Sequence, residues 1–260
     1  MRLVQLDIRS GGLTLRGYLV RPDLEPGQSC GLLLLCHGFP AGPKGAAGTG
    51  QTYPQLADRL AGEAGWAVLT FNFRGTGESE GDFSLGGWMD DLRAVIDHAL
   101  GLPQISGVWL AGFSTGGSLA LCGAGEDERV RGVAALAAPA DFSQWADDPD
   151  RLLAEAGDLG VVRNAGFPDD PDAWSRELEE LRPLALVGKV PPRPLLIVHG
   201  GDDAVVSVMD ARALDDAADG RGELRVLSGA GHRLRHDPRA IAVLLGWLER
   251  QGEGVTTEGV

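Results

Sequence analysis

The chain has 260 residues, of which 43% are apolar, enough for one large domain with a sizeable core. Its formal net charge of −14 argues against nucleic acid or an anionic membrane surface as a partner, because both would repel it. The three cysteines form no close pair in the sequence, so they predict neither a disulfide framework nor a metal site.

The chain begins with two segments that alternate polar and apolar residues, "LVQLDI" and "LTLRGYLV", separated by Ser10-Gly11-Gly12. Alternation of this kind predicts an antiparallel hairpin with one face in water. The same stretch lacks the continuous apolar segment of a signal peptide, and no apolar run elsewhere reaches the roughly 18 residues of a membrane span. We therefore expect a cytoplasmic protein that does not associate with membranes.

Six short apolar runs without strict alternation come next, as expected of strands that are covered on both faces. They are "LLLLC" (32–36), "AVLTFNF" (67–73), "VWLAGF" (108–113), "VAALAA" (133–138), "PLLIVHG" (194–200) and "ELRVLS" (223–228). Amphipathic segments that we predict to be helical lie between or after them, at about 53–63, 87–100, 116–124, 207–218 and 238–250. The alternation predicts an α/β fold, with a mostly parallel sheet of about eight strands flanked by helices.

One connection departs from this pattern. Between the runs that end at Ala138 and begin at Pro194, more than fifty residues rich in Asp, Glu, Trp and Pro contain no predicted strand. That length exceeds an ordinary connection in a compact domain, so we predict a small inserted and partly helical cap. The predicted division is a core in two parts (1–139 and 193–250), the inserted cap (140–192) and a flexible polar tail (251–260).

A serine stands between glycines in "GFSTG", residues 112–116, after an apolar run and before a helical segment. A serine hydroxyl becomes a nucleophile when a base takes its proton and hydrogen-bond donors receive the charge of the attacked carbonyl. The pattern G-x-S-x-G in this context predicts a sharp turn that presents Ser114, with Gly112 and Gly116 needed because side chains there would collide with the neighbouring strand and helix. The N–H of Thr115, at the helix start, is a predicted oxyanion donor.

A base and an orienting acid are predicted at the ends of two later strands. Asp203 follows one strand in "HGGDDAVV", and His232 follows the next in "SGAGH". Serine, aspartate and histidine in this chain order, each at the carboxyl end of a strand, predict a catalytic triad of Ser114, Asp203 and His232. Asp202 and His236 are the competing candidates for the acid and the base.

Two further histidines are candidates for structural roles. The alternative for His37 is a second catalytic base, but it precedes Ser114 in the chain, so we expect it to order the oxyanion loop through a local hydrogen bond. His199 opens the loop that carries the acid and is likewise expected to be structural. Aromatic residues in the predicted cap are candidates for substrate contact, namely Phe142, Trp145 and Trp174. Nothing in the sequence predicts a metal ion or an organic cofactor.

With these motifs the chain resembles the α/β-hydrolase superfamily, in particular its bacterial esterase and serine-aminopeptidase-like branch. The resemblance spans about residues 30–250 and is carried by "HGFP" (37–40), "FRGTGESEG" (73–81), "GFSTGG" (112–117), "GGDDAVV" (200–206) and "GAGH" (229–232). It implies that the backbone N–H of Phe39 is the second oxyanion donor.

The chemistry expected from the triad is hydrolysis of a small-molecule carboxylic ester through an acyl-enzyme intermediate. Two alternatives stay open at this point: an amide or peptide hydrolase of the serine-aminopeptidase type, and a relative that binds a ligand without catalysis. The sequence also leaves open whether the chain is a monomer or a homo-oligomer.

Overall fold

The computed structural model describes residues 1–41, 44–48, 52–252 and 256–257. Nine strands lie within these residues: β1 (Arg2–Ser10), β2 (Leu13–Arg21), β3 (Gln28–Cys36), β4 (Ala67–Phe71), β5 (Ile105–Phe113), β6 (Val130–Leu136), β7 (Leu195–Gly200), β8 (Glu223–Leu227) and β9 (Thr256–Thr257). They form one sheet in the order β1-β2-β4-β3-β5-β6-β7-β8, and β9 pairs with β3. The pairs between β4 and β8 along this order are parallel, which confirms the predicted sheet.

The antiparallel part of the sheet is the predicted N-terminal hairpin. Strand β1 pairs with β2 across the two-residue turn Gly11-Gly12, with Ser10 opposite Leu13. Both glycines have positive φ, +53° and +88°, as a tight hairpin turn of the favoured twist requires. Strand β2 then pairs antiparallel with β4 and joins the hairpin to the parallel strands.

Ten α-helices lie within the same described residues: α1 (Gly45–Gly48), α2 (Tyr53–Ala64), α3 (Leu85–Leu100), α4 (Thr115–Glu126), α5 (Ser143–Ala146), α6 (Pro149–Asp158), α7 (Pro171–Glu180), α8 (Pro183–Leu186), α9 (Val208–Ala217) and α10 (Pro238–Gln251). The five predicted helical segments correspond to α2, α3, α4, α9 and α10. Among the helices described, none is long and apolar enough to cross a membrane.

Helices cover both faces of the sheet, which explains the continuous apolar runs of its strands. In β3, Leu32 and Leu34 join one core cluster while Leu33 and Leu35 join the other, because successive side chains of a strand point to opposite faces. The first cluster includes residues of α3, α4 and α9, and the second includes residues of α2 and α10. Both faces of the central strands are therefore core. The prediction of two covered faces is wrong for the run at 223–228, because β8 lies at the edge of the sheet and none of its residues is buried.

Two element ends differ from the sequence prediction for local reasons. Helix α3 begins at Leu85, before the predicted 87, because the Ser84 hydroxyl caps it by accepting a 3.0 Å hydrogen bond from the N–H of Gly87. Strand β6 ends at Leu136, before the predicted 138, because the next residue, Ala137, has a φ of +52° that leaves the extended conformation.

The predicted insertion, residues 140–192, lies wholly within the described part of the chain and contains α5 to α8, a 3₁₀ turn at Val187–Lys189 and no strand. Polar contacts tie it to the loop that follows β4. The carboxylate of Asp82 accepts hydrogen bonds from the backbone N–H groups of Arg163 and Asn164, at 2.6 and 3.1 Å. The guanidinium of Arg163 donates in turn to the carbonyls of Gly75 and Gly77.

Of the predicted tail, residue 251 closes α10, and the pair 256–257 forms β9 against Gln28 and Ser29 of β3. Residues 253–255 and 258–260 lie outside the described residues, as do 42–43 and 49–51 of the loop after β3.

Candidate active site

Ser114 lies at the turn between β5 and α4, with φ and ψ of +55° and −130°. A positive φ is uncommon for residues other than Gly, Asn and Asp. The backbone conformation of Ser114 is therefore held by its surroundings. A Cβ atom on Gly112 would lie 2.0 Å from the carbonyl oxygen of Gly116, and one on Gly116 would lie 2.3 Å from that of His37. The predicted reason for these two glycines is therefore confirmed: the backbone of the turn packs directly against neighbouring backbone.

The loop that follows β3 passes equally close to the serine. A Cβ atom on Gly38 would lie 2.8 Å from the carbonyl oxygen of Phe113 and 2.9 Å from the Cβ of Ser114. Gly38 was not predicted to be a site residue, although its place in the motif "HGFP" could have indicated that it lies beside the serine. Its lack of a side chain brings the backbone of Gly38 and Phe39 beside Ser114. Thr115 is the first residue of α4, a position whose N–H has no acceptor within the helix.

The structure brings the three predicted triad side chains together. His232 Nε2 lies 3.1 Å from the hydroxyl oxygen of Ser114, and His232 Nδ1 lies 2.8 Å from Oδ2 of Asp203. A carboxylate accepts hydrogen bonds, so the Nδ1 next to it carries the proton and Nε2 is left to accept one from the serine. This arrangement suits proton transfer from Ser114 to His232.

Asp203 is held by its own loop. Its carboxylate is fully buried, and its Oδ1 accepts hydrogen bonds from the backbone N–H groups of Val205 and Val206 at 2.9 and 3.0 Å. One oxygen is thereby fixed by the backbone while the other faces His232. The competing acid, Asp202, is exposed and lies at the rim of a neighbouring cavity.

The other histidines near the site have different partners. His199 is fully buried, and its Nε2 lies 3.0 Å from the carbonyl oxygen of Val206 and 3.4 Å from Oδ2 of Asp203. Its contact with Val206 helps to hold the loop that carries Asp203. His236 is exposed, and its Nε2 accepts a hydrogen bond from the guanidinium of Arg235, whereas the imidazole that contacts Ser114 is that of His232.

His37 orders the loop after β3, as the sequence predicts. Its Nδ1 donates a 2.8 Å hydrogen bond to the carbonyl of Gly38, and its Nε2 accepts a 3.1 Å bond from the N–H of Phe73. Burial lowers the pKa of His37 to about 4, mainly because the charged imidazolium would lose its hydration. His37 is therefore neutral near pH 7 and keeps both hydrogen bonds.

The three aromatic candidates of the insertion occupy different environments. Trp174 is buried and its indole N–H donates a 3.1 Å hydrogen bond to the carbonyl of Phe83. Phe142 is also buried and stacks on Trp145, with 5.3 Å between ring centroids. Trp145 is half-buried, and its ring centroid lies 5.2 Å from that of Phe39 on the loop beside Ser114. It is the closest of the three to the predicted oxyanion donors by these contacts.

Ser114 and His232 line a cavity of about 410 Å³. The loop after β3 forms one side with His37, Gly38 and Phe39, and residues 233–236 form another. Among the described residues, no three His, Cys, Asp or Glu side chains are grouped so that they could hold a metal ion.

Several known proteins are similar to this chain in sequence or in fold. A monoacylglycerol lipase of Mycolicibacterium smegmatis is 28% identical over 273 residues, which cover 90% of this chain and 91% of the lipase. The structure of Est1E from Butyrivibrio proteoclasticus has a TM-score of 0.71 at 22% identity and covers 96% of this chain and 98% of its own. The structure of the alpha/beta hydrolase GrgF from Penicillium sp. sh18 has a TM-score of 0.74 at 21% identity and covers 96% of this chain and 99% of the GrgF chain.

These structural likenesses show a shared fold. A sequence model of the alpha/beta hydrolase family matches residues 33–244, which contain the turn at Ser114, the acid loop and the histidine loop. The chain therefore belongs to the alpha/beta hydrolase family, as its motifs predict.

Proposed function

We propose that this protein is a serine hydrolase that cleaves carboxylic esters of small molecules through an acyl-enzyme intermediate. The observation that carries the proposal is the continuous set of contacts from the Ser114 hydroxyl through the imidazole of His232 to the buried carboxylate of Asp203, with distances of 3.1 and 2.8 Å. A nucleophile, a base and a group that orients the base are the parts that acyl transfer needs.

In the first half of the reaction, His232 Nε2 takes the proton of Ser114 as the serine oxygen attacks the ester carbonyl. The negative charge that develops on the carbonyl oxygen is received by the backbone N–H groups of Phe39 and Thr115. Each such donor is worth on the order of 3 kcal/mol of barrier. His232 then returns its proton to the departing alcohol, which leaves the acyl group on Ser114.

In the second half, water takes the place of the alcohol. His232 removes a proton from the water, the resulting hydroxide attacks the acyl carbonyl, and the proton passes to Ser114 as the acid leaves. Asp203 keeps its charge throughout and stabilises the imidazolium that forms in each half. Its two backbone hydrogen bonds hold it in that position.

The relatives favour an ester as the substrate. The Mycolicibacterium relative is described as a monoacylglycerol lipase, and one structure of Est1E has ferulic acid bound. Phe142, Trp145 and Trp174 stay predictions for substrate contact. Trp145 is the best supported of them, because its ring is half-buried and packs beside Phe39.

The test compares the wild type with Ser114→Ala and a control, Ser143→Ala, which changes an exposed serine of α5. We expect the wild type and the control to hydrolyse p-nitrophenyl acetate. The rate of Ser114→Ala falls by about four or more powers of ten, while its unfolding temperature is kept. A fluorophosphonate probe labels the wild type and the control but not Ser114→Ala.

Two results would reject the proposal. Equal esterase rates in the wild type and in Ser114→Ala would show that Ser114 is not the nucleophile. Faster cleavage of a p-nitroanilide than of the matched p-nitrophenyl ester would assign the protein to amide hydrolysis instead.

A further inference from the structure

The cavity beside Ser114 has the opposite charge from the protein as a whole. Three basic residues line it, Lys44, Arg233 and Arg235, and the described residues that line it include no Asp or Glu. The adjoining residues 42–43 and 49–51 are Gly, Pro, Thr, Gly and Gln, none of which carries a charge. The complete chain has 37 acidic and 23 basic residues. Basic side chains make the local electrostatic potential of a cavity positive even where the protein as a whole is negative, and a positive potential attracts small anions.

Three contacts fix the position of the Arg235 guanidinium in the cavity. Its guanidinium lies 4.7 Å from the ring centroid of Tyr53, within cation–π range. It also donates to the hydroxyl of Thr52 and, at 2.9 Å, to Nε2 of His236. All three partners are uncharged, and Arg235 forms no ion pair with a described carboxylate. Its positive charge is thus held in place without being neutralised.

The charge of Arg235 acts on two histidines of the cavity, His37 and His236. Partial burial lowers the pKa of His236, and the charges of Arg235 and Arg233 lower it further. Arg235 also adds to the lowering of the His37 pKa, of which burial is the main cause. Both histidines are therefore neutral near pH 7, so the positive charge of the cavity does not depend on them.

We propose that the ester cleaved at Ser114 carries an anionic group, a carboxylate or a phosphate, which binds at the guanidinium of Arg235. The planar guanidinium offers paired N–H donors that match either oxyanion, and hydrogen bonds between charged groups are stronger than those between neutral ones. This inference rests on the proposed function and names the substrate class of the same site.

The test measures kcat/KM for esters that differ in one charge. One pair is the mono-p-nitrophenyl ester of adipic acid and its methyl ester, with the charge on the acyl side. A second pair is 4-acetoxybenzoate and its methyl ester, with the charge on the leaving group, and 4-acetoxyphenyl phosphate supplies the phosphate case. We expect at least one anionic ester to be preferred over its neutral partner by about tenfold or more.

The variants separate charge from packing. Arg235→Gln should reduce the preference to about one, whereas Arg235→Lys keeps the charge and should keep most of the preference. Arg233→Gln should reduce it by a smaller factor, because Arg233 is exposed and its charge is better screened. Arg212→Gln is the control: Arg212 is an exposed arginine of α9 outside the cavity, and its loss should leave the ratio unchanged.

Two outcomes would overturn the inference in distinguishable ways. Hydrolysis of the neutral esters with no preference for any anionic partner, or a preference that survives Arg235→Gln, overturns the anion site and leaves the proposed function standing. Failure to hydrolyse any of the esters, together with no labelling of Ser114, overturns the proposed function and this inference with it.

Discussion

The turn at Ser114 and the insertion at 140–192 are fixed in different ways. At the turn, the backbone of Gly116 packs directly against the backbone of the loop after β3, and a Cβ atom on Gly116 would lie 2.3 Å from the carbonyl oxygen of His37. The insertion is attached by side chains as well, through the carboxylate of Asp82, the guanidinium of Arg163 and the indole of Trp174, beside backbone hydrogen bonds such as the one from the N–H of Phe83 to the carbonyl of Val161.

This difference predicts different tolerance to change. No atom can be added at the turn without moving the main chain that positions the nucleophile. Contacts made by long side chains can be exchanged or shifted with smaller effects on the backbone beneath them. The proposed chemistry is therefore tied to the turn, while the parts of the insertion that are held by side chains can vary without moving the turn.

The largest contrast is expected from the same substitution made in each region. Gly116→Ala places a methyl group against the carbonyl oxygens of His37 and Cys36, so we expect it to lower the free energy of unfolding by about 3 kcal/mol or more and to abolish esterase activity. Gly157→Ala in α6 meets nothing within 4 Å and should raise stability by about 0.5–1 kcal/mol with activity kept.

Urea unfolding followed by circular dichroism, with p-nitrophenyl acetate assays on the same preparations, measures both effects. If Gly116→Ala were as stable and active as Gly157→Ala, backbone packing at the turn would not be what holds Ser114. That result would remove the difference between the two regions.

A second prediction uses the pKa of His37, which is lowered from 6.5 to about 4 in the folded protein. Between these two values the unfolded chain binds a proton that the folded protein does not, so stability falls as the pH falls from about 6.5 to about 4. The shift corresponds to on the order of 3 kcal/mol across that window. Below it, both states are protonated and this contribution is constant.

The check is the free energy of unfolding of the wild type and of His37→Gln at several pH values from 4 to 7. Carboxylates titrate in both proteins, so the difference between the two curves isolates His37. We expect His37→Gln to be less stable at pH 7 and to have a flatter dependence. Parallel curves would mean that His37 titrates in the folded protein as it does in the unfolded chain.

The contrast between the two regions also explains how far the sequence could predict the structure. At the turn, the chemistry needs glycines at fixed positions in a short stretch, so Gly112, Gly116 and the position of Ser114 could be predicted from "GFSTG". Asp203 could be located because it comes three residues after β7, a clear apolar run, and His232 because it comes five residues after β8, although that strand is less apolar.

In the insertion, apolar residues are too irregular for periodicity to locate single helices. Local signals were present all the same: Asp148 and Asp170 each precede a proline and cap α6 and α7 by accepting hydrogen bonds from the backbone N–H groups of Arg151 and Ala173.

The position of the Arg235 side chain could not be predicted from the sequence, for a different reason. Its guanidinium is placed by Tyr53 and Thr52, which are distant in the chain, and no local pattern encodes such a contact. The pairing of Thr256–Thr257 with β3 is of the same kind, because the polar tail has no pattern that distinguishes a strand from an extended coil.

The smallest expected effect tests how the insertion is attached. Trp174→Phe keeps most of the buried ring but removes the indole N–H that donates to the carbonyl of Phe83, so the variant should lose about 1–2 kcal/mol of stability. Because Trp174 is 4% exposed and its ring packs against Phe83, with no ring contact to Phe39, we expect kcat/KM for p-nitrophenyl acetate to stay within about threefold of the wild type.

Trp145→Phe is the matched substitution. Trp145 packs beside Phe39, so its change should alter the relative kcat/KM for acetate, butyrate and hexanoate esters with less effect on stability. The opposite result, a large loss of kcat/KM with unchanged stability in Trp174→Phe, would place Trp174 against the substrate. It would also mean that the insertion reaches the reacting groups through this side chain, so that its sequence could not vary independently of the site.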